Sequence, residues 1–168
     1  MKKNVLWMTI LMAVLTVNTM AQTIKKDSLS KIPLGSRVDF RMDFSNATIH
    51  DRTETEFAKY EKDWEEDKPS IIEKFRAAAN FKLDKELKLG FYEDADYQMT
   101  VTVKTITTKG FMICDAVMTD KSGQEFFKVE NLKGTSDSFF TPGTKLARIK
   151  FWAALTGGAL GTIMKDRL

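Results

Sequence analysis

The residues able to carry chemistry are few. One imidazole, His50, is followed by Asp51, and one thiol, Cys114, stands far along the chain. A Ser-His-Asp or Cys-His mechanism needs a nucleophile, a base within hydrogen-bond reach and a group that orients the base. Any such set would have to use His50, and neither Cys114 nor any serine sits in a sequence resembling a nucleophile elbow. His50 therefore reads as a solvated residue on the loop after the first strand. A zinc site wants three or four His, Cys or carboxylate ligands, which a single imidazole and a single thiol do not supply. Cys114 alternates with Met112, Ala116 and Met118, the pattern of a small buried hydrophobe. Alone, it forms no intramolecular disulfide.

The carboxylates fall into two groups. Glu93, Asp94 and Asp96 lack the alternating acids, glycine and distal glutamate of a calcium loop, and read as a solvated turn. Glu61, Asp63, Glu65, Glu66 and Asp67 offer pairs for general acid–base work, but their setting is a charged helix end, which favours a solvated face. Neither G-x-G-x-x-G nor G-x-x-x-x-G-K-[ST] occurs. No catalytic, cofactor-binding or metal-binding residue is assigned, and no cofactor is called for.

Two apolar features stand out instead. Phe151 to Met164 (FWAALTGGALGTIM) carries no charge between Lys150 and Lys165 and contains Gly157 and Gly161 in a G-x-x-x-G pair. It falls short of the about 20 residues of a membrane span. It reads as a buried helix whose glycines allow close approach to the sheet, as a helix interrupted at Gly157-Gly158, or as a surface for a partner or a membrane. Phe139 and Phe140, on a loop rich in Ser, Thr, Gly and Pro, are the second feature, since adjacent loop aromatics can anchor a partner. The candidate partner contacts are Phe139, Phe140, Trp152, Gly157 and Gly161.

The elements that must position these residues follow from periodicity. Val38, Phe40, Met42 and Phe44 alternate with charged residues, as in a half-buried strand. Phe57, Tyr60 and Trp64 form one stripe of a surface helix over 53–68. Pro69 interrupts the chain, and Ser70-Ile71-Ile72-Glu73 has the capping-box pattern. Ile72, Phe75, Ala79, Leu83 and Leu87 then predict a second helix running to about Lys88, stopped by Gly90. Three β-rich runs (95–108, 111–119, 124–134) separated by Lys109-Gly110 and Asp120-Lys121-Ser122-Gly123 predict an antiparallel meander. A loop over 135–143 leads into a terminal helix from about Thr144. The expected fold is α+β: one antiparallel sheet of about four strands, ordered strand, helix pair, three-strand meander and C-terminal helix, with the helices on one face.

The start of the chain has the three parts of a secretory signal. Lys2 and Lys3 supply positive charge, Val5 to Val17 is mostly apolar, and Thr19-Met20-Ala21 precedes Gln22 as a cleavage site. No cysteine follows the site to carry lipid. The expected organisation is a signal peptide over 1–21, a flexible mature N-terminus over 22–36 and a single α+β domain over 37–168. Removing Lys2 and Lys3 brings the net charge of +3 to about +1. Without a block of basic residues, nucleic acid is a poor partner.

Several short motifs resemble uncharacterised exported proteins of Bacteroides-like bacteria. They are Met20-Ala21-Gln22, the stretch from Asp63-Trp64 to Pro69, Ala95-Asp96-Tyr97 opening a Val-rich strand, and Gly157-Gly158-Ala159-Leu160-Gly161. The element order also resembles small periplasmic α+β domains of envelope-assembly proteins, such as the TolB amino-terminal domain or curli-assembly lipoproteins, although the lipid-carrying Cys of the latter is missing. The resemblance implies a periplasmic or envelope location and a non-catalytic role, and transfers no functional residue.

The expected function is an exported, non-enzymatic binding or assembly module that acts through protein contacts, with another envelope protein as partner. The terminal helix is also a candidate for peripheral membrane contact. The alternatives are a periplasmic domain holding a lipid or other apolar small ligand and, more remotely, a carboxylate-dependent hydrolase.

Overall fold

The computed structural model describes residues 21–136 and 142–168. Among these residues the chain forms a mixed eight-stranded sheet and three α-helices. β1 (Thr23–Asp27) and β2 (Ser36–Asp43) flank a short 3-10 turn at Leu29–Lys31. β3 (Thr48–Ile49) and β4 (Arg52–Thr53) make a small hairpin. Helices α1 (Glu54–Tyr60) and α2 (Trp64–Leu83) lead to β5 (Leu87–Gly90). The meander is β6 (Tyr97–Ile106), β7 (Met112–Asp120) and β8 (Glu125–Lys133), and α3 (Lys145–Lys165) follows. The main strand order is β1-β8-β7-β6-β2-β5, with β3 continuing along β6 beyond the end of β2.

This overturns the expected antiparallel sheet of about four strands. The meander is antiparallel, but β2 runs parallel to both of its neighbours, β5 and β6. The α1–α2 connection is long enough to carry the chain back over the sheet, which allows β5 to join β2 in parallel. The sequence hid β5 because Leu83 and Leu87 continue the apolar spacing of α2. The helix stops instead at Asp84, whose φ of 52° is left-handed. β1 was hidden in a segment expected to be a tail, because Thr23-Ile24-Lys25-Lys26-Asp27 shows almost no apolar alternation. Its one half-buried residue is Ile24.

The helix boundaries also differ from expectation. The capping box is Thr53 with Glu56: the Thr53 hydroxyl accepts from the Glu56 N–H, and the Glu56 carboxylate accepts from the Thr53 N–H. Ser70 to Glu73 lie inside α2, as does Pro69. Placed within the first two turns, Pro69 forfeits only the bond to the Glu65 carbonyl.

One face of the sheet carries the core. Along β6, Met99, Val101 and Val103 are buried while Thr100, Thr102 and Lys104 are half-exposed on the opposite face. Phe40 stacks on Phe75 of α2 with ring centroids 5.9 Å apart. Trp64 meets Phe44 and Phe57 edge-on at 5.6 and 5.3 Å. The β5 edge is sealed by α2. Asn80 donates to the Leu89 carbonyl and accepts from the Leu89 N–H, both at 2.8 Å, and Arg76 also donates to that carbonyl.

Helices α2 and α3 lie side by side and run in the same direction. Their successive contacts rise together, from Lys150 with Asp67 through Gly157 with Phe75 to Gly161 with Ala79. Parallel neighbours place like dipole ends together, which is unfavourable. The charges offset this: α2 opens with Glu65, Glu66 and Asp67, whereas the first turn of α3 has no acid. Lys145 pairs with Glu61 at 3.3 Å and Lys150 with Asp67 at 2.7 Å.

Candidate functional site: the outer face of the last helix

Thr144 caps α3, its hydroxyl accepting from the Ala147 N–H. From Phe151 to Met164 the helix has no charged residue, so its faces are distinguished only by size and exposure. The inner face holds Ala153, Gly157, Leu160, Gly161 and Met164, all buried. A Cβ on Gly157 would drive into the Phe75 carbonyl, and one on Gly161 would meet the Ala79 carbonyl and, at 2.8 Å, Lys82 Cβ. The G-x-x-x-G pair is thus the seam that lets α3 sit against α2. Between the glycines and the sheet, the buried Thr156 hydroxyl accepts from the Gly134 N–H at 3.1 Å and donates to the Trp152 carbonyl at 2.8 Å.

About 100° further round the helix the surroundings change. Ala154, Leu155, Gly158, Ala159 and Ile163 are only half-buried, and Thr162 is exposed. A Cβ added at Gly158 would meet nothing within 4 Å. These residues floor a groove of about 720 Å³, with Ala78, Phe81 and Lys82 of α2 on one margin and Lys133, Thr135 and Gln22 on the other. Phe81 is 81% exposed. Sequence reasoning missed it. Once Phe75, Ala79 and Leu83 are assigned to the inner stripe, Phe81 falls about 200° from Ala79, an aromatic on the face that should be polar. That was the available signal.

The other candidates distribute as follows. Trp152 is 5% exposed and packs on Phe111 with centroids 4.1 Å apart. Its indole N–H is buried and finds no hydrogen-bond partner among the described residues. Phe139 and Phe140 lie outside the described residues. His50, expected to be solvated, is 8% exposed, has a left-handed φ of 49°, and meets Phe57 edge-on at 5.2 Å. Burial, and then the charges of Lys145, Arg148 and Arg52, hold its imidazole below the usual histidine range against a weaker opposing pull from Asp51. Its Nε2 has no hydrogen-bond partner among the described residues. Cys114 is fully buried, as expected, and burial pushes its thiol up.

Three carboxylates of the two groups pair with three separate lysines. Asp96 pairs with Lys121 at 2.9 Å on the surface, while Glu61 and Asp67 are spent on α3. Among the described residues there is no group of three or more His, Cys, Asp or Glu placed to hold a metal ion. Nor, among them, is any helix long and apolar enough to cross a membrane. The arrangement can offer an apolar surface with cationic margins. The structure brings together Gly157 and Gly161 in the seam, with Trp152 packed against the β6–β7 hairpin, and leaves Phe81 and Gly158 to solvent.

No protein-family model matches the chain, and no curated protein matches it. Among solved structures, the PelC dodecamer from Paraburkholderia phytofirmans is similar over 83% of this chain and 97% of that one, at 13% identity and a TM-score of 0.40. A PelC variant dodecamer from the same organism is similar over 86% and 98%, at 11% identity and a TM-score of 0.44. Likeness at this level transfers no residue and no activity.

Proposed function

We propose that the protein is an exported envelope protein that works without catalysis, as a binding or assembly module acting through protein contacts made on the outer face of α3. One observation carries the reading: a chain rich in charge keeps an uncharged helical face half-open and sets Phe81, 81% exposed, beside it. Apolar area left in water at a continuous groove forgoes about 25 cal/mol per Å² of burial and marks a surface that something else covers. Support for export comes from Lys2, Lys3, the apolar run to Val17 and Thr19-Met20-Ala21. The chemistry-bearing side chains are engaged elsewhere, with His50 and Cys114 in the core and Glu61 and Asp67 holding α3.

The test replaces Phe81 with a photoreactive phenylalanine analogue in producing cells and, separately, replaces Phe91, which is 66% exposed away from the groove. A discrete cross-linked protein adduct at position 81 and none at 91 is expected. Equal labelling at both positions, or none at 81, would remove the reading. N-terminal sequencing of the protein from the periplasmic fraction is expected to begin at Gln22.

A further inference from the structure

Resting on that protein-contact reading, we propose that the groove on α3 seats one amphipathic helix of the partner, with an apolar face and acidic flanks. The floor selects the shape. In the floor, Ala154, Gly158, Ala159 and Thr162 raise no long side chain, Leu155 and Ile163 are half-buried, and a Cβ placed on Gly158 meets nothing within 4 Å. Such a floor lets a second backbone come close, the condition for tight helix packing. From Ala154 to Ile163 the floor runs about 14 Å at 1.5 Å per residue. That length matches about three turns of a docked helix read through i, i+4 and i+7 anchors. Phe81 forms a wall against which such anchors close.

The margins select the charge. Lys82 lies on the α2 side and Lys133 on the β8 side, and among the described residues neither forms an ion pair. The lysines nearer the start of α3, Lys145 and Lys150, are both paired with acids. Among the described residues, the groove therefore has cations without an ion-pair partner along both sides of an apolar strip. A helix with acids on both flanks complements them. A second copy of the same groove would bring lysine against lysine. A lipid surface suits this face less well, because membrane-seating helices project bulky Leu, Trp and Phe below a basic rim. Here Phe81 is the one aromatic side chain lining the groove, and the other large apolar residues of the floor, Leu155 and Ile163, are half-buried.

The experiment titrates the full-length protein with a labelled synthetic peptide that is helix-forming, apolar on one face and Glu-flanked, and with its Lys-flanked twin. Vesicles of anionic phospholipid are run alongside. The Glu-flanked peptide is expected to bind at least about tenfold more tightly than the twin, a difference of about 1.4 kcal/mol. Gly158→Leu, which fills open space and leaves the α2 seam alone, is expected to weaken it by about tenfold or more without lowering the unfolding midpoint. The double variant Lys82→Glu/Lys133→Glu is expected to reverse the preference between the peptides. Equal binding of the two peptides, indifference to Gly158→Leu, or tighter uptake on vesicles than on peptide would each overturn the proposal. If the cross-link at position 81 forms while the peptides fail, the helix assignment falls and the protein-contact reading stands. If no adduct forms, the reading itself falls.

Discussion

Gly157 and Gly158 are neighbours in sequence with opposite surroundings. The first is pressed onto the backbone of α2 at Phe75, and the second faces open space. Both lack a side chain, and both weaken an isolated helix by about 1 kcal/mol relative to alanine. Only at Gly157 does close packing compensate, because the seam it forms with Gly161 brings α2 and α3 into contact over the sheet. At Gly158 nothing within the described residues recovers the cost. The difference teaches that a small-residue motif has two separable meanings on one helix: an internal joint on one face and an unfilled seat on the next.

Substitutions along α3 can break or sharpen that contrast. The largest effect is expected for Gly157→Ala, whose methyl group has no room beside the Phe75 carbonyl. Overpacking against backbone should cost about 3 kcal/mol, read as a lowered urea midpoint at unchanged slope. A cost below about 1 kcal/mol would mean that the helices shift freely and the seam is not a fixed joint. Next, Thr156→Val removes the acceptor of the buried Gly134 N–H, for an expected loss of about 2 kcal/mol in the same measurement.

A smaller effect should appear with pH. His50 in the fold holds its proton less tightly than in the unfolded chain, because of burial and the nearby Lys145, Arg148 and Arg52. Below the reference value of 6.5 the unfolded chain binds more protons than the folded one. Stability is therefore flat above that pH and declines as acid takes it towards the lower folded value. Urea midpoints measured from neutral pH downward should show the decline, and His50→Gln should flatten it. On the outer face the sign reverses: Gly158→Ala should stabilise by up to about 1 kcal/mol, the helix-propensity gain with no clash. Phe81→Ser should stay within about 0.5 kcal/mol of the parent. A large loss there would make Phe81 part of the core and erase the contrast.

The parts of the fold with strong local patterns were legible. β6, β7 and β8 were found through alternating apolar residues and the Gly110 and Gly123 turns, and the start of α3 through Thr144. β5 was not, because a leucine four residues after Leu83 fits helix and strand alike, and only the left-handed turn at Asp84 decides. Strand direction was also invisible: Val38, Phe40 and Met42 alternate identically whether β2 is parallel or antiparallel to β6. At the site, Gly157, Gly161 and Trp152 were singled out as contact residues, and the structure places all three inside. The feature that remains open lies one residue further on. A run of small apolar residues shows that the helix has no polar face, but which side faces α2 is set by the register between the helices, and that register comes from pairs such as Lys150 with Asp67 that lie far apart in sequence.

The amide of Asn80 also limits what the sheet can do to itself. By engaging both the N–H and the carbonyl of Leu89, it withholds that residue's backbone groups from any further strand. Fibrillar growth from chain to chain needs two receptive ends on every molecule. Among the described residues β1 and the two-residue β4 each keep one side without a strand partner, and an antiparallel match of two β1 strands centred on Lys25 sets like charges face to face. A single side-chain amide thus removes Leu89 from the backbone groups through which the sheet of one molecule could be extended by another.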